Sequence, residues 1–536
     1  METVTVPVET FTEEERERLA PHFTNLDRPV FGLVNLPETV KGAMFARYSR
    51  YPGTLRRMFL DEFADSLPAV SVSTGLSGIA SAEGQRAADL YERIFVGYGD
   101  DSVAQLGGAH VAMEWTSNLL TKILQRPRLA AYLEQSTRYI AYDTQLDAYG
   151  YRYHRDARFG PEYERAMDDL FSTYSRLLEG VSAWVEGEFP RSPDESAAAH
   201  TRAVRAKALD LVRGLLPAGS LSHMGMYASG QTYEQLVLHL LAHPLAEARA
   251  YGAMLLEELQ KIIPSFVARV PREDRGGRWV EFLRERRGAA DAAAARLGLG
   301  EETGVAAPSV RLLRSHGTEE ELLAALLYES TATGEEEALR AVSRLEPAER
   351  VELLRELIGE RENRRHRPGR GFETLTYRFE IVSDYGAFRD LQRHRLLTCQ
   401  WQRLTPDLGA DVPHEVVAAG LGGEYERALE ISRGEHARLR GQGLVEEAPY
   451  ALCLAFRIRY VLELDARAAL HLIELRSGRE GHPSYRAVAH EMRRAIAGVH
   501  PNVAAAMSFV DDSTEERLER LLSEMRNEAG GQTTTG

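Results

Sequence analysis

The sequence is poor in cysteine. It has two in 536 residues, Cys399 and Cys453, too few and too far apart for a disulfide framework. That suits a reducing compartment, and a cytoplasmic location is expected. No long uncharged apolar run occurs, so no membrane-spanning helix is expected. The N-terminal METVTVPVETFTEEERERL lacks the basic start and apolar stretch of a signal peptide. Positive charge is in deficit. A formal net charge of −15 argues against broad nucleic-acid binding, which needs a basic face. Motifs are missing too. There is no GxGxxG after a strand, no GxxxxGK[ST], no HExxH and no CxxC, so neither of the common nucleotide folds nor a zinc site is indicated, and no metal is expected.

What is present is a repeat with arginines in it. LQRPRLAAYLEQSTRYI (Leu124 to Ile140) and LQRHRLLTCQWQRLTPD (Leu391 to Asp407) open alike and end differently. GPEYERAMDDLF from Gly160 is similarly echoed by GGEYERALEISR from Gly422. Each is followed by a run read as helical: RAKALDLVRGLLPAGSLSHMGMYASGQTYEQLVLHLL in the first half and YALCLAFRIRYVLELDARAALHLIELRSG in the second. Such self-similarity marks an old tandem duplication. The expected division is a first domain at 1–275, a linker at 276–304 that is Ala-rich and then Gly-rich, a second domain at 305–515, and a frayed tail at 516–536.

The expected class is α/β in the α+β sense, mainly helical with a few strands. EEELLAALLYES and AERVELLRELIGE space their apolar residues as helices do. FETLTYRFEIVSDYG from Phe372 alternates as a half-buried strand, and STRYIAYD from Ser136 also reads as a strand. Each Arg-x-Arg then stands after a strand-like and helical approach, in or beside a loop, where ligand contacts are common.

Arg393, His394 and Arg395 are adjacent donors whose mutual repulsion an anion would relieve. In the first half EQSTR offers the Ser136 hydroxyl, backbone N–H groups and the Arg138 guanidinium, a suitable cradle for phosphate. In ELDARAALHLIELRSG, Asp465 and Arg476 share one helical face, while Arg467 and His471 lie at i, i+4 on a neighbouring stripe. Ala466, Ala469, Leu470 and Ile473 form the apolar face. Each cluster taken alone is also what a solvated basic turn or an ordinary amphipathic helix looks like. A cluster of arginines in an acidic chain points to a small phosphorylated ligand.

Taken together, the clusters resemble the signature of flavin-dependent thymidylate synthases, Arg-His-Arg followed after seven residues by Ser. The first copy matches as Arg126-Pro127-Arg128, then Ser136-Thr137-Arg138, with Pro127 in place of His. The second copy has Arg393-His394-Arg395 in full but Arg403 in place of Ser. Asp465-Ala466-Arg467, with Arg476 nine residues beyond Arg467, is similar to the family's Asn-Ala-Arg flavin segment and its uracil-facing arginine. His471 likewise replaces an Asn, and RRHRPGRGFE stands where the family has His-Glu-x-Pro, with Glu373 aligned to its acidic residue.

The resemblance implies two tandem copies of that fold, each a small, mainly antiparallel or mixed sheet with long flanking helices. It also implies a set of roles. Arg393, His394, Arg395, Asp465, Arg467, His471 and Glu134 would contact FAD. Glu134, Gln135, Ser136, Thr137, Arg138, Arg213 and Arg393 would hold the nucleotide, and Arg476 would be catalytic at the pyrimidine. The opposite set is degenerate, with Ser229-Gly230-Gln231, Leu240, Trp401, Arg403, Thr405 and Pro449 at the matching places. All losses thus fall on one of two possible combinations, which implies one composite site.

The implied reaction is reductive methylation of dUMP to dTMP with methylenetetrahydrofolate, FAD and NADPH, by a chain that pairs as a homodimer equivalent to a tetramer of single domains. The alternatives are a flavin- or nucleotide-binding protein without turnover, and a flavin-dependent methyltransferase acting on another uracil compound.

Overall fold

A computed structural model describes residues 4–7, 9–66, 93, 104–300, 304, 306–513 and 517–532. Parts of the expected linker (301–303) and tail (516 and 533–536) lie outside the described residues. The chain forms two compact units, each built from three segments. Met1–Arg176, Leu215–Glu302 and Arg427–Cys453 make the first; Leu177–Gly214, Thr303–Glu426 and Leu454–Gly536 make the second.

The first unit holds an antiparallel sheet of β1 (Val30–Gly32), β2 (Gly108–Ser117), β3 (Ala130–Glu134) and β4 (Leu221–Ser229), in the order β1-β2-β4-β3. Phe23, Phe31, Met44, Tyr48, Met58 and Phe59 pack into a buried cluster against it. The β2–β4 register slips between Met113 and Thr116, and Trp115 in that bulge takes φ 55°. Glu114, beside it, is fully buried and held by Arg56 at 3.2 Å, the Tyr48 hydroxyl at 3.1 Å and the Leu55 N–H at 2.8 Å.

The second unit repeats the plan with β5 (Ser309–His316), β6 (Thr376–Asp384), β7 (Thr398–Trp401) and β8 (Arg457–Asp465), antiparallel and ordered β5-β6-β8-β7. Its core is the inward face of β6 and β8, with Tyr377, Phe379, Ile381, Ile458, Tyr460 and Leu462. The expected class of fold is thus observed, with a small antiparallel sheet in each copy and long helices such as Gly160–Glu188 and Gly422–Gly441.

Two expectations are corrected. Both runs read as helical contain a strand: β4 interrupts the first and β8 the second. In Arg-Ile-Arg-Tyr-Val-Leu-Glu-Leu-Asp, inward and outward residues alternate along β8, and the period of two wins over the helical neighbours on either side. STRYIAYD, in turn, is not a strand. The strand is β3, which ends at Glu134, and the Ser136 carbonyl accepts N–H bonds from Tyr139 and Ile140, both at 3.1 Å. The Ser136 hydroxyl accepts the Arg138 N–H at 3.3 Å. Such local side-chain and turn bonds override the β preference of Thr, Tyr and Ile.

The same device launches a helix from each of the four longer central strands. Ser117, Ser229, Asp384 and Asp465 end β2, β4, β6 and β8, and each accepts a backbone N–H from the first turn of the helix that follows. The first copy uses Ser and the second uses Asp. These junctions fix where Arg393 and Arg467 stand.

The helix Ala466–Arg476 is anchored from behind. Glu474 on it is fully buried and takes a two-pronged bond from Arg361 at 2.7 and 2.6 Å, with the Arg361 side chain 4% exposed. Replacing Arg361 by Met leaves a buried carboxylate without its partner. It should cost about 3–5 kcal/mol, read as a lowered Tm, whereas replacing both residues by apolar ones of similar size should cost far less.

Candidate functional site

β6 ends at Asp384, which caps the helix Tyr385–Leu391; the turn after this helix carries Arg393, His394 and Arg395. β8 ends at Asp465, which caps the helix Ala466–Arg476 by accepting the Ala468 N–H at 2.7 Å. The two strands are paired, Asp384 opposite Arg457 and Thr376 opposite Asp465. The two caps thus stand at opposite ends of the strand pair, and the turn and the second helix flank one open cavity of about 300 Å³. Arg393, His394, Arg395, Arg467, His471 and Arg476 line it with guanidinium and imidazole groups, and Leu396, Leu397, Leu464, Leu472 and Leu475 supply an apolar wall. Asp465, Glu373 and Arg367 complete the rim. An apolar wall facing a row of donors suits a flat heteroaromatic ligand that carries negative charge.

The interior wiring is specific. Arg476 donates from Nε to His394 Nε2 at 2.9 Å, which requires that nitrogen to carry no proton. Burial, then the nearby Arg476, His471 and Arg393, hold the His394 pKa well below the usual range. His471 is also depressed, by burial and then by Arg367 and Arg364. Burial lowers Arg476 as well, against the opposing pull of Asp390. Asp465 is raised by burial, and its cap bond works the other way. Arg467 does not turn to Asp465. It bonds the Pro368 carbonyl at 2.9 Å and Glu373 at 3.4 Å. Glu373 is lowered, first by Arg370.

Arg213 lies at the end of the helix Ala197–Val212 and belongs to the second unit. Its Nη1 meets Asp390 Oδ2 at 3.4 Å. Close approach is possible because residue 386 is glycine: a Cβ there would stand 3.3 Å from Arg213 Nη2 and 2.8 Å from Asp384 Oδ1. Burial pushes Asp384 up to about 6, with Arg213 opposing. Asp390, 5% exposed, also pairs with Arg393 and lies 3.8 Å from Arg476. Sequence reasoning passed over Asp390. Its signal was an acid three residues before Arg393, on one helical face.

The other expected residues lie in the first unit. Glu134 at the end of β3 is buried against Lys122 at 2.8 Å and Gln125 at 2.9 Å. Gln135 donates to the Tyr51 carbonyl at 2.7 Å and accepts from Arg152 at 3.4 Å. Thr137 is buried, while Ser136 and Arg138 are half-buried, with the Ser136 N–H on the Ser49 carbonyl at 3.1 Å. Cys399 is half-buried on β7 and Cys453 is buried, its thiol pushed up by burial to about 12. Among the described residues no helix is long and apolar enough to cross a membrane.

These features define a duplicated α+β protein whose second copy carries an arginine- and histidine-lined cavity. The family profile of thymidylate synthase complementing proteins matches residues 63–265 and 311–502, one stretch in each copy. A UPF0159 protein of Chlamydia muridarum is 37% identical over 97% of this chain and 99% of its own length. UPF0159 proteins of Chlamydia pneumoniae and Thermoplasma acidophilum are 35% and 30% identical, over 97% and 92% of this chain and 98% and 99% of their own lengths. A solved UMP/dUMP methylase, PolB from Streptomyces cacaoi with bound 5-Br dUMP, is 18% identical with a TM-score of 0.31, covering 40% of this chain and all of its own. The chain belongs to the thymidylate synthase complementing protein family, in a tandem form with two diverged copies. That makes it a methyltransferase-type enzyme of thymidylate-synthase-like chemistry.

The depressed His394 and raised Asp384 give opposite pH effects on stability. The unfolded chain protonates its histidine near pH 6.5, before the folded chain does, so stability falls as pH drops below that value. The folded chain protonates Asp384 near pH 6, before the unfolded chain does near 4, so stability rises across that window as pH drops. Melting at pH 7 and pH 5 should therefore show a smaller acid loss in His394→Gln than in the parent, and a larger one in Asp384→Asn.

Proposed function

We propose that the protein is an FAD-dependent thymidylate synthase that converts dUMP to dTMP with methylenetetrahydrofolate and NADPH. The observation that carries this reading is one cavity in the second unit lined by Arg393, His394, Arg395, Arg467, His471 and Arg476, the residues that the family resemblance assigns to flavin and uracil. The residues present fit a flavin: guanidinium and imidazole donors for its polar edge, and Leu396, Leu464 and Leu472 for its ring face. A flavin held there would supply the hydride once reduced, with NADPH as the reductant.

The chain's own residues bind, orient and polarise. Arg213 and Arg393, with Ser136 and Arg138 from the first copy, hold the nucleotide phosphate by charge-assisted hydrogen bonds. Arg476 faces the N3–O4 edge of uracil, where a fixed guanidinium stabilises negative charge on the ring and makes C5 nucleophilic. His394 keeps Arg476 aimed by accepting its Nε–H, which leaves the guanidinium's terminal nitrogens for the ligand. The one-carbon unit would pass from the folate to C5, with tetrahydrofolate as the leaving group and loss of the C5 proton, and a hydride would complete the methyl group. No enzyme thiol takes part, in keeping with one cysteine deep in a core and one on an edge strand. The assignment of Ser136 and Arg138 to the same site rests on the sequence, since each copy keeps the residues that the other has lost. By the same resemblance the working form is a homodimer.

Release of tritium from dUMP labelled at C5, with methylenetetrahydrofolate, FAD and NADPH, tests the reaction. The parent should release it, and Arg476→Ala and Ser136→Ala should each lower the rate by about a hundredfold or more. Stoichiometric flavin binding without release would replace this reading by a flavin-binding protein without turnover. Release from another uracil compound but not from dUMP would leave the chemistry and change the substrate.

A further inference from the structure

Three arginines to which the proposed function gives ligand roles converge on one carboxylate that this reading leaves without a role. Asp390 Oδ2 faces Arg213, and Oδ1 faces both Arg393 and Arg476. Asp390 is 5% exposed and Arg213 is 3% exposed, so water screens this cluster weakly. Asp390 sits in the last turn of the helix Tyr385–Leu391, so backbone bonds fix its position. Of the three partners, Arg393 is held closely, while Arg213 at 3.4 Å and Arg476 at 3.8 Å stand further off. Arg213 Nη2 has no hydrogen-bond partner among the described residues. The carboxylate therefore gathers three guanidiniums without using up their donors. Asp384 is the other acid near Arg213, and its Oδ1 is committed to the Ala387 N–H at 2.8 Å.

We propose that Asp390 is a positioning residue that joins Arg213, Arg393 and Arg476 into one receptor and, through its own negative charge, weakens that receptor toward a bare phosphate, so that it selects an anion carrying a ring. Three clustered guanidiniums without a counter-charge would repel one another and bind any small anion. With Asp390 in place, a free phosphate meets two opposing effects at once, attraction from the arginines and repulsion from the carboxylate. A ligand whose ring also reaches the His394–Arg476 side of the cavity gains contacts that depend on Asp390 holding Arg476 in place, so loss of the carboxylate removes ring contacts while it relieves the repulsion. The choice of dUMP as the ring-bearing anion rests on the preceding subsection; the effect of Asp390 on phosphate does not.

Calorimetric binding of inorganic phosphate and of dUMP to the full-length protein, its Asp390→Asn variant and its Asp390→Glu variant tests this. Asp390→Asn should bind phosphate on the order of tenfold more tightly and dUMP no more tightly, so the preference for dUMP shrinks by a similar factor. Asp390→Glu, which restores the charge, should keep the parent's preference to within about threefold. Should Asp390→Asn prove unfolded by its melting curve, Asp390→Ser removes the charge with a smaller side chain and gives the same comparison. Unchanged phosphate affinity in the neutral variant overturns the proposal, as does tightening of phosphate and dUMP in parallel. If the parent binds phosphate but not dUMP, the nucleotide reading falls, and the phosphate comparison still decides the role of Asp390.

Discussion

Buried guanidinium needs a counter-charge, and the second unit is arranged around supplying it with very few carboxylates. Asp390 serves three arginines, and Glu474 serves Arg361 behind the same helix. Both acids stand on short helices launched by an Asp cap at the end of a central strand. The order β5-β6-β8-β7 pairs the two strands that launch these helices, and the turn after the first helix and the second helix itself line one cavity. A neutral residue at 390 would leave the arginines to repel one another, and the field that the cavity offers a ligand would change in strength and direction.

The first copy shows what the same frame becomes when that requirement is absent. Aligning the two Gln-Arg-x-Arg turns puts Ile123 where the second copy has Asp390, and Lys122 where it has Arg389. No acid hub stands there. Lys122, Gln125 and Glu134 instead bond to one another in the interior. Leu240 stands where Arg476 stands in the other copy, and it is fully buried. Strand order and cap positions are shared, while the polar residues at the helix ends have diverged. A fold tolerates such exchange because the sheet and caps are set by alternation and junction chemistry, and the site is set by a handful of side chains placed on them.

Much of this was legible in the sequence. The repeat was visible, as were the alternation of β6, the helices Glu319–Tyr328 and Pro347–Ile358, and the apolar face of Ala466, Ala469, Leu470 and Ile473, all of which are buried. Two strands hidden inside longer apolar runs were missed, because a run that contains helix, strand and helix mixes periods of 3.6 and 2 over too few residues each. The turn after Glu134 was read as a strand because residue preference carries no information about a hydroxyl bonding its own backbone two residues on. Asp465 is a helix cap, and the carboxylate that Arg467 meets is that of Glu373, which lies far from it in the chain.

By itself the sequence determined the duplication, the family resemblance and which residue types each copy kept, because these are properties of order and spacing along one chain. Only the tertiary structure decided that Arg213 shares a unit with the second-copy arginines, that Asp390 is their common partner, and that His394 accepts from Arg476. Those contacts join residues as far apart as 213 and 390, and nothing along the chain encodes their distance. Pairing of β6 with β8, close approach over Gly386 and burial brought them within reach of one another, and low local screening then gave their charges the strength to act as one group.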